Sequence, residues 1–131
     1  MKKTGLLLAA LLGFSAPALA DPVDGIWKTK PGDDGKYGYV QIGPCGADIC
    51  GVIVKAFNAQ GQEIESENIG KRMIWAMKPK GDGYYSGGKI WAPDRDKTYK
   101  SNMQLSGNSL KVSGCVLGGI ICRGQTWKRV N

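Results

Sequence analysis

The sequence predicts an all-β domain, a small antiparallel up-and-down barrel of eight strands. Three observations carry this. Twenty glycines and six prolines divide the chain into short runs rich in β-branched and aromatic residues. Beyond residue 20 these runs alternate with a period of two, and no helical stripe of useful length appears. The connections are of hairpin length and carry turn residues. Eight such strands can close into a barrel whose interior holds side chains or one small ligand. A two-sheet sandwich is the alternative.

The N-terminal segment is read apart from the fold. Lys2 and Lys3 precede an apolar run from Leu6 to Phe14, and Ala18-Leu19-Ala20 forms an A-x-A cleavage site. This three-part pattern marks residues 1–20 as a cleaved secretory signal, leaving residues 21–131 as a single barrel domain that begins at Asp21. The apolar run is shorter than the roughly 20 residues a spanning helix needs, so no membrane span is expected. No Cys follows Ala20, which argues against a lipoprotein. The expected location is periplasmic or secreted, in a bacterium.

Strands are expected near 25–30, 37–43, 50–57, 71–77, 83–91, 97–105, 109–115 and 120–130. Pro31-Gly32-Asp33-Asp34-Gly35, Gly43-Pro44-Cys45-Gly46, Lys80-Gly81-Asp82-Gly83, Pro93-Asp94-Arg95-Asp96 and Ser106-Gly107-Asn108 supply turns between them. Alternation assigns faces. Val52, Val54 and Ala56 are expected inward with Lys55 outward; Tyr99, Ser101, Met103 and Leu105 inward; Leu110 and Val112 inward. In 71–77, Met73, Trp75 and Met77 share one face and Arg72, Ile74 and Ala76 the other. Both faces hold apolar residues, so that parity stays open. Glu63, Glu65 and Glu67 alternate in the least strand-like stretch, 58–70. An exposed acidic edge is favoured there over a cation site.

Cys45, Cys50, Cys115 and Cys122 all follow the signal. In an exported chain an even count reads as a disulfide framework. Four cysteines allow three connectivities; Cys45–Cys50 and Cys115–Cys122 are favoured because each pair brackets a turn. Zinc is disfavoured by the absence of C-x-x-C spacing and of any His. No metal and no cofactor are expected.

Composition narrows the function classes. Without His there is no Ser-His-Asp triad and no Cys-His pair. The remaining catalytic option is a carboxylate pair, at Asp33-Asp34 or at Asp94 and Asp96, in turns where Asp is expected on local grounds and away from evident pocket residues. The chain is therefore not expected to be an enzyme. The formal charge of +7 includes Lys2 and Lys3, and the remaining excess is spread thinly. No basic stripe accompanies the aromatics, so nucleic acid is not an expected partner.

Gly25-Ile26-Trp27 at the first strand and Trp127-Lys128-Arg129 at the last resemble lipocalin-type barrels. In those, a Gly-x-Trp opens the first strand and a cation near the C-terminus covers the indole, a contact worth about 0.5–2 kcal/mol. The resemblance implies structural roles for Trp27 and Arg129. A wider pattern runs through Cys45-Gly46-Ala47-Asp48-Ile49-Cys50-Gly51, Gly87-Gly88-Lys89-Ile90-Trp91-Ala92-Pro93 and Lys97-Thr98-Tyr99. It continues in Leu105-x-Gly107-x-x-Leu110-x-Val112-x-Gly114-Cys115 and in Cys122 to Arg129. The chain thereby resembles, over essentially all of residues 21–131, the bacterial family catalogued as domain of unknown function 2147. This resemblance implies a lipocalin-like periplasmic barrel without an established activity. Members often carry a longer, Arg-rich stretch with a Pro where this chain reads Gly70-Lys71-Arg72-Met73.

The leading functional expectation is a non-catalytic barrel that binds a small apolar or amphipathic molecule. Trp75, Tyr99 and Met103 are the expected apolar lining. Arg123, Gln125 and Trp127 share a strand face and supply polar anchors if that face is inward. The rival expectation is an envelope interaction or inhibitor protein acting through an exposed face. Outward-pointing Trp75 and Trp91 favour that rival. Oligomeric state stays open.

Overall fold

The computed structural model describes residues 20–131. The segment read as a signal lies outside the described residues, apart from Ala20. The strands are β1 (Gly25–Lys28), β2 (Tyr37–Cys45), β3 (Asp48–Phe57), β4 (Glu63–Ile64), β5 (Arg72–Gly81), β6 (Tyr84–Ala92), β7 (Lys97–Ser106), β8 (Ser109–Val116) and β9 (Ile121–Arg129), with one 3-10 turn at Leu117–Gly119. The sheet runs β2-β1-β9-β8-β7-β6-β5-β3, and β2 also pairs with β3, which closes the ring. The two-residue β4 pairs with β3 alone, at Ala56 and Phe57. The result is a closed antiparallel barrel of eight strands in meander order, as the alternation and turns predict.

Turn chemistry fixes the hairpins. Asp82 and Gly83 both take positive φ, 56° and 77°, the backbone that a two-residue loop needs to match strand twist. Pro79 pairs with Tyr85 of β6, while the β3 side of β5 has no pairing beyond Met77. The missing N–H of Pro79 therefore breaks no ladder.

Two departures from strict alternation redirect side chains. Ala76 adopts φ 57°, a conformation most residues avoid. It interrupts β5, so that Ile74 and Met77 are both buried, whereas Trp75 pairs with the exposed Lys89 on the outer face. The expectation of a shared face for Met73, Trp75 and Met77 is thereby corrected. In β3 the register shifts between Tyr39 and Val40, whose partners are Lys55 and Ile53. Val54 is the extra residue of a bulge. Ile49, Gly51 and Ile53 are buried before it, as is the disulfide-bonded Cys50. The inward assignments of Val52 and Val54 are corrected accordingly; after the bulge, Lys55 is exposed as expected.

Cys45–Cys50 and Cys115–Cys122 are both bridged, with Cα atoms 5.5 and 4.0 Å apart. Cys115 and Cys122 are direct cross-strand partners. Non-reducing peptide mapping is expected to return these two local bridges and no peptide joining Cys45 to Cys122. Replacing Cys115 and Cys122 together by Ser should cost about 2–3 kcal/mol, from the chain entropy of a short loop. Two disulfides in such a barrel fit an extracellular or periplasmic protein. Among the described residues no helix is long and apolar enough to cross a membrane.

The barrel is solid at one end. Val23, Trp27, Ile42, Met77, Tyr85, Met103, Leu110 and Trp127 are buried there in a continuous core. The ring closes at this end, where Trp27 pairs with Arg129 and Lys28 with Lys128. The Arg129 guanidinium lies 4.4 Å from the centre of the Trp27 ring. It also donates to the Asp24 carbonyl at 3.0 Å and the Pro22 carbonyl at 2.8 Å. The indole N–H of Trp27 donates to the Val23 carbonyl at 2.9 Å. One arginine thus ties the last strand, the first strand and the N-terminal segment together.

Tyr85 donates its hydroxyl to the Asp21 carboxylate. Burial, then that hydrogen bond and the negative charges of Asp21 and Asp24, push its ionisation well above the ordinary value near 10. A raised folded value means that stability is intact below pH 10 and falls as pH rises from there, because the unfolded chain ionises first. Alkaline titration of the melting temperature should show this decline, and Tyr85→Phe should reduce its slope.

Candidate functional site

At the other end the strands enclose a cavity of about 850 Å³ that opens between the loops. Ligand pockets typically measure about 300–1,000 Å³. Four buried apolar side chains form its wall: Val40 of β2, Ile53 of β3, Ile90 of β6 and Val112 of β8. Each points inward by strand alternation, and each comes from a different part of the ring. Gly114 adds space. A Cβ built there would meet Tyr99 Cβ at 3.5 Å and Ile90 Cγ2 at 3.6 Å, an ordinary contact, with the cavity beyond it. Gly88 does not add space in this way, because Met77 and the Trp75 carbonyl already approach that point to 2.9 and 2.8 Å.

Polar side chains line the cavity from β9 and from around its mouth, where Lys30, Lys36, Lys55 and Arg95 contribute further cations. Arg123 and Gln125 line the cavity, and Trp127, two residues further down the same face, is fully buried. The Trp127 indole N–H donates to Gln125 Oε1 at 2.6 Å. This bond occupies the amide oxygen and leaves the amide N–H groups as the donors for a guest. The Arg123 guanidinium makes no hydrogen bond or ion pair with any described residue. The cavity thus combines an apolar wall with one guanidinium and one amide on β9, and with charged side chains around its mouth.

The six residues expected at a ligand site separate into three groups. Tyr99, Arg123 and Gln125 line the cavity. Met103 and Trp127 are fully buried in the solid half instead. Trp75 is on the outer face, with the Arg72 guanidinium 5.7 Å from its ring centre. Trp91 is half-buried and packs against the edge of the core; its N–H donates to Asp96 Oδ1 at 2.9 Å, and Lys71 lies 5.4 Å from its ring centre. Sequence reasoning missed Ile53, hidden by the bulge at Val54. It also missed Val40 and Ile90, which strand parity alone could have supplied.

The rim is built from turns. Asp33, Asp34 and Asp94 all reach the mouth, which corrects the expectation that these carboxylates lie away from the pocket. Local geometry explains two of the neighbouring carboxylates: Asp34 Oδ1 accepts the Lys36 amide at 2.9 Å, and Asp96 holds Trp91. The stretch 58–70 folds over one side of the mouth, anchored by Gly70 N–H donating to the Ile53 carbonyl at 2.7 Å. Within it Glu63 faces Lys55 at 3.9 Å, an exposed pair worth well under 1 kcal/mol. No group of residues suited to holding a metal ion occurs among the described residues. Opposite, the tip of the β8–β9 hairpin projects apolar side chains into solvent, with Leu117 68% and Ile120 84% exposed. Val116 and Ile121 on the same tip line the cavity.

Comparison with solved structures finds protein HP1028 from the human pathogen Helicobacter pylori, described as belonging to the lipocalin family. The TM-score is 0.67 at 17% sequence identity, and the match covers 83% of each chain. At that identity the likeness shows the fold. No curated protein matches this chain. The model of a family described as an uncharacterized protein conserved in bacteria, DUF2147, matches residues 25–129. With its lipocalin-like barrel closed by the first and last strands, the chain belongs to the DUF2147 family.

Proposed function

We propose that this protein is exported, loses its signal between Ala20 and Asp21, and serves as a non-catalytic carrier or sensor of one small, partly apolar molecule. The observation that carries the binding reading is the half-hollow barrel: a cavity of about 850 Å³ with an apolar wall, Arg123 and Gln125 on β9, and charged side chains around its mouth. Tyr99 and the Val40, Ile53, Ile90 and Val112 side chains take the apolar part. Arg123 and the Gln125 amide take the polar part, near the mouth. Burying an apolar tail against this wall gains about 25 cal/mol per Å². A polar end held at Arg123 keeps its charge close to water, which limits the desolvation cost.

The experiment is a titration of the protein with an environment-sensitive apolar dye and with long-chain carboxylic acids. Saturable binding at one equivalent is expected, with a change in Trp127 emission relayed through Gln125. Arg123→Glu should weaken the acids at least tenfold while leaving an uncharged dye nearly unaffected. A titration with no saturable signal overturns the reading.

A second reading rests on a different observation, the exposed apolar tip at Leu117 and Ile120 together with Trp75 on the outer face. It makes the protein an envelope interaction or inhibitor protein that works through its surface. That reading leads if the cavity proves inert.

A further inference from the structure

The closed end contains a carboxylate without enough donors. Asp24 Oδ1 is buried and has no hydrogen-bond partner among the described residues. Among the described residues its other oxygen, Oδ2, accepts only a long bond, 3.3 Å, from the Asp21 backbone nitrogen. The turn that creates this contact is otherwise well tied. The Asp24 N–H donates to the Asp21 carbonyl at 2.9 Å, and the Val23 N–H donates to Asp21 Oδ1 at 3.0 Å. Val23 is fully buried beside Trp27. Asp21 is thus held by the fold, whereas Ala20, one residue earlier, is exposed.

We propose that Asp24 is the seat of the chain's own amino terminus, created by cleavage of the Ala20–Asp21 bond. This rests on the signal reading above. In the hydrolysis, water gives its hydroxyl to the Ala20 carbonyl carbon and a proton to the Asp21 nitrogen as the peptide C–N bond breaks. The product amine takes a further proton from solvent. An amide nitrogen at that place offers one N–H and no charge; the ammonium offers three N–H groups and a positive charge. It can serve Asp24 Oδ2 and the orphaned Oδ1 together, with charge-assisted bonds that are roughly twice as strong as neutral ones. Processing then tightens the turn that carries Val23 and the Arg129-bound carbonyls.

Several charged groups face this position. Asp21's own carboxylate, engaged by Tyr85 and Val23, adds negative charge from the same segment. Tyr85 on β6 stays protonated through the relevant range, because its ionisation is raised. Arg129 on β9 opposes the ammonium, but its guanidinium is spent on the Asp24 and Pro22 carbonyls and the Trp27 face. Two carboxylates against one guanidinium favour a cation.

The test uses the chain from Asp21 to Asn131 in two forms, with a free amine and with the amine acetylated, each also carrying Asp24→Asn. In the free form the Asp21 amine, followed by nitrogen NMR, should titrate above pH 9, against about 8 for an ordinary α-amino group. At neutral pH the free form should melt higher than the acetylated one. Because the amine's folded value is raised, this gap is full below about pH 8 and closes as pH rises through the folded value. Asp24→Asn should abolish the gap. An amine titrating near 8, with acetylation leaving the melting temperature unchanged, overturns the seat on Asp24. If Asp24→Asn does not fold, the amine titration in the parent chain decides alone. The intact mass of the exported protein separately tests the processing step. A chain starting elsewhere than Asp21 overturns the cleavage position, whatever the amine does in the prepared chain.

Discussion

Trp27→Ala is expected to destabilise the barrel by about 3–5 kcal/mol, the range for removing a fully buried large side chain. The indole has no exposed surface and stands where the ring closes. Its loss leaves a cavity between β1, β2 and β9, frees the Val23 carbonyl that accepted the indole N–H, and strips the Arg129 guanidinium of its aromatic face. Each of these losses falls on the same joint. Domains of this size have only about 5–15 kcal/mol in total, so the melting temperature should fall by well over 10 °C. Arg129→Lys should have a smaller effect in the same direction, because an ammonium cannot serve the Asp24 and Pro22 carbonyls in a planar fork. A Trp27→Ala protein that melts like the parent would contradict the closure described above.

Met103→Asp is expected to prevent folding. Met103 is fully buried on β7, cross-strand from Tyr85 and Val112. A carboxylate there meets apolar neighbours and no cation. Unpaired buried charge belongs to the short list of changes that exceed 4–5 kcal/mol. Circular dichroism at pH 7 should show an unfolded chain, with partial recovery at acid pH as the new carboxyl is neutralised. Gly114→Asp, two residue pairs nearer the mouth, should be tolerated, because its Cβ meets only ordinary contacts and the carboxylate can reach the cavity. The pair of variants maps the border between the packed and hollow halves.

Much of this architecture was legible in the sequence. Alternation and turn residues gave eight strands near their observed bounds, and the short Cys45–Cys50 and Cys115–Cys122 spacings gave the bridges. The face assignments that failed share a physical reason. Strict period-two reading assumes an unbroken ladder, and a left-handed Ala76 or an extra Val54 inverts everything beyond it. Nothing in the identity of an alanine or a valine announces either event. Strict alternation consequently puts Trp75 inside, whereas it lies outside, and it passes over the buried Ile53. The site was legible only in part. Arg123 and Gln125 share a face with Trp127 in a regular strand, so their orientation followed once that face was known to be inward. The partition of the interior into a solid and a hollow half depends on how Met77 fills the space at Gly88 while the space at Gly114 stays open. That is a matter of packing between strands distant in sequence, which no local pattern encodes.

The central claim is that the open half of the barrel is a binding vessel. It is tested most directly by titrating an apolar dye into the parent protein and into Gly114→Phe, whose ring would occupy the cavity from the β8 wall. The account predicts one saturable site in the parent, its loss or a weakening of at least tenfold in Gly114→Phe, and a melting temperature in the variant equal to or above that of the parent. Equal dye binding by the two proteins, or none by the parent, would contradict it.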